Sequence, residues 1–424
     1  MTVNPLDVTS TLLSEWLNAL GTCSAPGPGV TRLVYDPAWC QAHRWLAGKA
    51  RDLGLAVHID GAGNLYFHDP SVTPGNVARP VVLVGSHLDT VIHGGLYDGA
   101  YGLIAALLLA AEPRPAGSTA VVAFATCEEE ESRFRAGLMG ARSMLGQIEG
   151  MELDTVVDAA GITWRQALEQ ARTRGCAGPL ADGPRPFAPP FNPVAMLELH
   201  IEQGPVLENE LLSLGIVDNI AGYRRYRVRL HGEGRHSGTT PMRMRRDALS
   251  SAAEIVLAVE AYAKELGEPA VATAGHIEVQ PGLFNVVPGT CELWLEVRHV
   301  DRQSLAAMEV ELGDRCRRIA DGRGVNIEIE EVSRQEPAAL SAEMVRAAET
   351  LAAVLKIPHR RMPSGAAHDT MVFARAGIPA LLVFVPSRHG VSHSPEEFTD
   401  PENLATGYRF LTELVTRIAL APPR

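Results

Sequence analysis

Four apolar segments of strand length, each followed at once by a polar cluster, limit the folds open to this chain. The segments are "VVLVGS" before His87, "AVVAFATC" before "EEEES", "VAMLEL" before His200 and "ALLVFVPS" before "RHGVSHSPEEF". Strands that are apolar on both faces and alternate with helical patterns predict a mostly parallel sheet with helices on both sides. Ligands gather at the carboxyl ends of the strands in such a sheet, so we expect the four clusters to converge.

The pattern changes near residue 215. From there the order is strand, helix, strand, strand, helix, strand, from "YRRYRVRLHG" to "VNIEIEEV". That order is the ferredoxin-like split unit, and 424 residues exceed what one hydrophobic core usually takes. We therefore predict an α/β domain formed by residues 1–214 and 333–424, with a βαββαβ domain inserted at 215–332. The segment "MRMRRDALSSAAEIVLAVEAYAKELG" predicts one long helix within the insertion.

Composition narrows the function classes. A formal net charge of −12 argues against a nucleic-acid or anionic-membrane partner. The six cysteines have no CxxC spacing, which is typical of reduced thiols rather than of a disulfide framework. The longest apolar stretch, "LIAALLLAA", is too short to span a bilayer, and the N-terminus lacks the pattern of a secretion signal. We predict a cytoplasmic protein with no membrane or nucleic-acid partner.

The segment "GSHLDTVIHGGLYDG" (85–99) indicates a metal site. His87 and Asp89 are two residues apart, so they point to one side of a strand end, and Asp98 follows across a glycine-rich stretch. Each cluster also has a plainer interpretation. The four glutamates could begin a solvated helix, His200 could be a core histidine, and Asp98 could be a turn residue. His393 could simply precede a helix N-cap.

Seven motifs together carry a family resemblance. They are "GSHLDTVIHGGLYDGAYG", "EEEESRF", "LELHIEQGPVLE", "HSGTTPMRMRRDAL", "FNVVPG", "SGAAHDT" and "GVSHSPEEF". With these motifs in this order, the chain resembles the M20-type metallo-amidohydrolases. More narrowly, it resembles their hydantoinase/carbamoylase branch, which comprises N-carbamoyl-L-amino acid hydrolases, allantoate amidohydrolases and β-ureidopropionases. The resemblance implies a catalytic α/β domain and an inserted lid domain through which the enzyme forms a homodimer.

The resemblance also implies a site with two divalent metal ions. The implied ligands are His87, Asp98, Glu130, His200 and His393, with Asp98 bridging the ions. Nitrogen and oxygen ligands suit Zn, Mn, Co or Ni alike. Asp89 would accept the second ring N–H of His87, and Glu129 would be the general base. Glu131 stands where the family usually has glycine, which leaves the assignment within the four glutamates open by one position.

Substrate contacts follow from the same resemblance. His236 in the lid would stabilise the oxyanion. In dimeric relatives this histidine tends to reach in from the partner subunit, and the resemblance leaves open whether it acts within its own subunit or in the partner. Arg298 would clamp a substrate carboxylate, although an ion pair with Glu296 is the alternative. The remaining implied substrate-binding residues are Asn285, Gln203, Gly365, Ala366 and His368.

The implied activity is metal-dependent hydrolysis of the carbamoyl C–N bond of an N-carbamoyl-L-amino acid. Allantoate amidohydrolase and β-ureidopropionase are the alternatives within the branch. A peptidase or aminoacylase of the M20 type is more remote, as is a non-catalytic homologue that binds a small acid. A non-catalytic homologue would be expected to lack a metal ligand or the base, and no such loss is evident.

Overall fold

The structure is a computed structural model that describes residues 5–76, 78–181 and 183–421, with side chains from residue 10 onward. The secretion-signal prediction falls partly on residues 1–4, which lie outside the described residues. The helices are α1 (Pro5–Gly21), α2 (Pro37–Asp52), α3 (Ala100–Ala110), α4 (Met139–Met144), α5 (Glu152–Thr155), α6 (Trp164–Thr173), α7 (Val206–Asn209), α8 (Ala248–Leu266), α9 (Arg302–Gly322), α10 (Ala342–Val354), α11 (Thr370–Arg375) and α12 (Pro401–Leu420). The strands are β1 (Ala56–Ile59), β2 (Leu65–His68), β3 (Pro80–His87), β4 (Ala120–Thr126), β5 (Asn192–Ile201), β6 (Leu214–Ile220), β7 (Gly222–His231), β8 (Arg235–His236), β9 (Val271–Gln280), β10 (Val286–Val287), β11 (Thr290–His299), β12 (Asn326–Gln335), β13 (Ala338–Ala339), β14 (His359–Ser364) and β15 (Ala380–Val385).

The chain divides into two compact units. Unit 1 contains Met1–Asp218, Leu340–Met362 and His368–Arg424, and unit 2 contains Asn219–Ala339 and Pro363–Ala367. The predicted domain boundaries at 215 and 332 lie close to these divisions and stay a prediction. Within the described residues, no helix combines the length and the apolar composition needed to cross a membrane.

The large sheet of unit 1 confirms the predicted α/β class. Its strands follow the order β1-β2-β4-β3-β5-β15-β6, with β14 paired to β6. The central strands β4, β3, β5 and β15 are parallel, whereas β2 and β6 flank them in antiparallel pairs. The central strands are buried along almost their whole length, as the continuous apolar runs predict. Four consecutive carboxyl ends therefore lie along one edge of the sheet.

Unit 2 has a separate sheet and a separate core. The antiparallel strands follow the order β12-β7-β11-β9, and α8 and α9 pack on them. Alternate residues of β7 and β11, such as Val228 and Leu293, enter this core, and most of the residues between them are charged. The order of elements confirms the predicted βαββαβ pattern.

The long helix predicted from "MRMRRDALSS" begins later than expected. Residues 242–244 form one 3-10 turn, and α8 starts only at Ala248. The side chain of Asp247 accepts a hydrogen bond from the backbone N–H of Ser250, which caps the helix N-terminus there. An aspartate at the N-cap satisfies an N–H group of the first turn, so the helix begins after it.

Candidate metal centre

The four polar clusters follow four neighbouring parallel strands of unit 1. His87 ends β3, and His200 is the penultimate residue of β5. Glu129 and Glu130 follow β4, and His393 lies on the loop after β15. One carboxylate or imidazole atom from each member of three overlapping groups lies within 4.8 Å of the others in its group: His87–Asp98–His200, His87–Glu129–Glu130 and Asp98–Glu130–His393.

Asp98 lies at the centre of this cluster. Its Oδ1 atom is 3.2 Å from Nε2 of His87 and 3.1 Å from Nε2 of His200. Its Oδ2 atom is 3.3 Å from Nε2 of His393, and that nitrogen is also 3.2 Å from Oε2 of Glu130. One carboxylate thus bridges three imidazoles, two of them on one oxygen.

The hydrogen bonds of the His87 and His200 rings are those of metal-binding imidazoles. Nδ1 of His87 lies 3.0 Å from the carbonyl of Asp89, and Nδ1 of His200 lies 2.9 Å from the carbonyl of Ile201. With the ring protons on Nδ1, Nε2 of each ring is the unprotonated nitrogen, with the lone pair that a cation would coordinate, and it lies 3.1–3.2 Å from Oδ1 of Asp98. That oxygen is buried and has no hydrogen-bond partner among the described residues. A cation among these lone pairs would replace repulsion by coordination.

The electrostatics of the cluster also favour positive charge. The Asp98 and Glu130 carboxylates raise the pKa of His393 to about 10. Burial opposes ionisation of Asp98, but His200 and the other two histidines bring the pKa of Asp98 well below its ordinary value. Oε1 of Glu130 is a further buried oxygen that lacks a partner within the described chain. The cluster therefore has the donor set and the charge of a divalent-cation site.

Glu129 lies beside this cluster and is 8% exposed. Its Oε2 atom is 3.9 Å from Nε2 of His87, too far for a hydrogen bond. Burial raises the pKa of Glu129 well above its ordinary value, and the neighbouring Glu130 raises it further while His87 opposes the rise. The carboxylate is thus close to the candidate ligands without being engaged by them.

Asp89 occupies a different position from the one expected. We expected its carboxylate to accept the second N–H of His87, but the backbone carbonyl of Asp89 takes that hydrogen bond, and its Oδ1 atom is 3.8 Å from Nδ1. The carboxylate accepts the backbone N–H groups of Glu129 and Glu130 at 3.0–3.1 Å. The turn after β4 places these N–H groups closer to the Asp89 carboxylate than the His87 imidazole is. The Asp89 side chain therefore holds the acidic turn in place.

The acidic run is neither solvated nor helical. Glu128 is fully buried, and its Oε1 atom accepts the backbone N–H groups of Arg133 and Phe134. Glu128 and Glu131 have φ of +47° and +51°, so the chain turns sharply on either side of Glu129 and Glu130. Glu131 thus holds a backbone conformation that favours glycine, which gives a physical reason for the family's usual glycine at this place.

A glycine lets the Asp98 loop approach His87. Gly99 has φ of +64°, and a Cβ atom on it would lie 2.4 Å from the His87 ring. Its backbone N–H lies 3.1 Å from Nε2 of His200. Any larger residue would displace the imidazole, so the pattern "YDG" has a packing reason as well as a chemical one.

Two supporting residues escaped the sequence interpretation. Glu397 is buried and accepts the backbone N–H groups of Tyr97 and Asp98 through Oε1. The hydroxyl of Ser392 lies 2.9 Å from Oδ2 of Asp98 and 3.2 Å from Oε2 of Glu397, and its single proton can be donated to either carboxylate. Both stand in "GVSHSPEEF", whose polar residues other than the histidines we did not interpret. Their position beside His393 was the available signal.

Two of the expected substrate-binding residues lie at the candidate metal cluster. Gln203 donates from Nε2 to Oδ2 of Asp98 at 2.7 Å, and its Oε1 atom has no partner in the described chain. His368 is buried against the ring of His200, with centroids 4.7 Å apart, and its Nε2 atom is likewise unpartnered there. Burial, then His200, lowers the pKa of His368 well below its ordinary value, so its ring is neutral.

The other expected substrate-binding residues and His236 belong to unit 2. His236 is exposed on β8, where its Nδ1 accepts the backbone N–H of Gly238. Exposed Asn285 lies next to the β8–β10 pair, and its backbone carbonyl accepts the N–H of Ser237. Arg298 donates to the carbonyl of Gly365, and the carbonyl of Ala366 accepts the hydroxyl of Ser364.

Comparisons with known proteins agree on one family. The model of Peptidase family M20/M25/M40 matches residues 83–417. The N-carbamoyl-L-amino-acid amidohydrolase of Paenarthrobacter aurescens is 37% identical, covering 97% of this chain and 98% of that protein. The allantoate amidohydrolase of Escherichia coli strain K12 is 35% identical, covering 95% and 96%. A crystal structure of a hydantoinase/carbamoylase family amidase from Burkholderia multivorans matches with a TM-score of 0.86 and 30% identity, covering 98% of each chain.

Proposed function

Because the chain belongs to peptidase family M20/M25/M40, we propose that it hydrolyses the carbamoyl C–N bond of an N-carbamoyl-L-amino acid. The products are the amino acid, ammonia and CO2. The observation that carries the proposal is the Asp98-centred histidine cluster with the unengaged Glu129 carboxylate beside it. The similarity to an N-carbamoyl-L-amino-acid amidohydrolase over 97% of the chain supports the substrate class.

The residues proposed to hold divalent cations are His87, Asp98, Glu130, His200 and His393. We propose two ions, because the ligand groups overlap and the two oxygens of Asp98 face different histidines. Oδ1 lies beside His200, and Oδ2 lies beside His393. A divalent cation bound there would polarise the carbonyl and lower the pKa of water toward neutrality. Zn, Mn, Co and Ni all suit these ligands.

The proton steps belong to the chain's own groups. We propose that Glu129 takes a proton from the attacking water and transfers it to the departing nitrogen. His236 would stabilise the negative charge on the carbonyl oxygen. With Nδ1 accepting the N–H of Gly238, its Nε2 carries the proton and can donate it to that oxygen. Homodimerisation through unit 2, and the subunit that His236 serves, stay predictions.

A substrate panel tests the proposed function. We expect the purified enzyme, loaded with each of the four metals in turn, to release ammonia from N-carbamoyl-L-amino acids with a higher kcat/KM than from allantoate or β-ureidopropionate. N-acetyl-amino acids and dipeptides serve as controls for the aminoacylase and peptidase alternatives. Faster cleavage of either control, or no ammonia from any ureido substrate, would overturn the proposal.

Arg298 is proposed to bind the substrate carboxylate. We expect Arg298→Ala to raise KM for the best substrate by about 10- to 100-fold, because a charge-assisted hydrogen-bond pair is lost. The control is Arg229→Ala, which removes an arginine from the neighbouring strand that pairs with Glu292. Steady-state kinetics of both variants check the prediction, and equal KM values would contradict it.

A further inference from the structure

We propose that Glu296 is a positioning residue that aligns the Arg298 guanidinium for the carboxylate of the substrate, an inference that rests on the proposed function. Nε of Arg298 donates to Oε1 of Glu296 at 2.6 Å, and Nη2 donates to Oε2 at 3.1 Å. Nη1 donates to the carbonyl of Gly365 at 2.7 Å. Three contacts thus fix the plane of the guanidinium.

The guanidinium of Arg298 keeps two donors for a substrate carboxylate. A guanidinium has five N–H groups, and the contacts with Glu296 and Gly365 use three of them. One N–H on each Nη atom is left without a partner in the part of the chain described. Two parallel N–H groups on the terminal nitrogens match the two oxygens of a carboxylate. The ion pair with Glu296 and the carboxylate clamp, posed as alternatives from the sequence, are therefore compatible.

The strand register fixes Glu296 from the opposite side. Strands β7 and β11 are antiparallel, with Arg225 opposite Glu296 and Tyr223 opposite Arg298. Nε of Arg225 donates to Oε2 of Glu296 at 2.6 Å. The guanidinium carbons of Arg225 and Arg298 lie 4.2 Å and 5.6 Å from the centroid of the Tyr223 ring. The carboxylate of Glu296 is thus held between two arginines on a rigid pair of strands.

The charge of this group suits an anionic ligand. Two arginines and one glutamate leave a net charge of about +1 when all three are ionised. Burial alone would raise the pKa of Glu296, but Arg298 and Arg225 outweigh burial and bring it below its ordinary value. Glu296 therefore orients Arg298 without cancelling the positive charge of the group.

A neighbouring pair on the same two strands shows what an ordinary surface contact looks like. Arg229 meets Glu292 through one contact, Nε to Oε2 at 3.0 Å, and its side chain is 39% exposed. Arg298 is 23% exposed. It contacts Glu296 through two hydrogen bonds and also donates to the carbonyl of Gly365. Glu292 is therefore a matched control for Glu296, four residues away and on the same side of the same strand.

The test compares Glu296→Gln with Glu292→Gln. We expect Glu296→Gln to raise KM for an N-carbamoyl-L-amino acid by about 10-fold, mainly through binding, whereas Glu292→Gln changes it less than about two-fold. An alkylurea that lacks the carboxylate should lose no further kcat/KM in Glu296→Gln. In an Arg298→Ala background, Glu296→Gln should have no additional effect, because the group it positions is gone.

The outcomes separate two kinds of failure. If wild-type enzyme releases ammonia and Glu296→Gln behaves like Glu292→Gln, the positioning role is wrong and the proposed function stands. If Glu296→Gln lowers kcat/KM equally for the alkylurea, or adds its full effect to Arg298→Ala, Glu296 has a general structural role instead. If wild-type enzyme cleaves no ureido substrate, the proposed function fails and this inference fails with it.

Discussion

Replacing Glu129 by glutamine is expected to leave the metal content unchanged and to lower kcat by about 10²- to 10⁴-fold. The amide has nearly the shape of the carboxylate but cannot accept a proton at neutral pH. Glu129 lies 3.9 Å from Nε2 of His87 and has backbone support from Asp89, so its side chain can change without disturbing the bridging of Asp98. Metal analysis after exhaustive dialysis, together with ammonia release at saturating substrate, measures both effects.

The neighbouring glutamates supply the controls for this experiment. Glu131→Gln makes the same chemical change two residues further on and should retain nearly full kcat. Glu130→Gln should lower the metal content, because Glu130 is a proposed ligand. If Glu129→Gln loses metal while Glu130→Gln retains it, the two roles must be exchanged. That result would also settle the one-position ambiguity left by Glu131.

Removal of a histidine from the cluster is expected to have the largest effect on metal binding. His87→Ala, His200→Ala and His393→Ala should each weaken metal affinity by more than about 100-fold, since changes to groups that only support a ligand already cost 10- to 100-fold. Activity should fall in parallel and recover in part when excess metal is supplied. Metal content after dialysis against a weak chelator gives the measurement.

His389 provides the matched control for this series. It lies four residues before His393 on the same loop, its side chain is 80% exposed, and its Nδ1 atom is 3.6 Å from Oε2 of Glu208. His389→Ala should therefore keep the wild-type metal content. Unchanged metal content in two of the three cluster variants would refute the proposed ligand set.

The pattern of apolar residues predicted the architecture, because each strand of the parallel sheet can be recognised from its own short apolar run. Apolar runs such as "VVLVG" mark strands buried on both faces; His87 ends one of these strands, and Asp98 lies on the loop that follows it. The rule that ligands gather at the carboxyl ends of strands then predicted which distant segments would meet. The helix start at Ala248 was not predicted from the sequence. The residues before Asp247 have helical propensity, but the N-cap hydrogen bond of Asp247 makes the helix begin after it.

The contacts that support the cluster could not be predicted in this way. Glu397 accepts the N–H of Asp98 from nearly 300 residues further along the chain, and the carboxylate of Asp89 accepts those of Glu129 and Glu130. These contacts join side chains to backbone groups, and the sequence gives no periodic signal for a backbone N–H. The tether from Arg298 to the carbonyl of Gly365 is of the same kind. Local patterns locate functional side chains, whereas their supports depend on tertiary structure.

Strand β15 determines when the candidate metal cluster can form during synthesis. It pairs with both β5 and β6, although those two strands are consecutive in the chain and β15 (Ala380–Val385) follows them much later. A nascent chain therefore exposes an apolar edge of β5 until β15 has emerged, and such an edge invites aggregation. Closing so long a loop is slow compared with local pairing. Because His393 follows β15, the candidate cluster can assemble only after the segment from β15 to His393 has been synthesised.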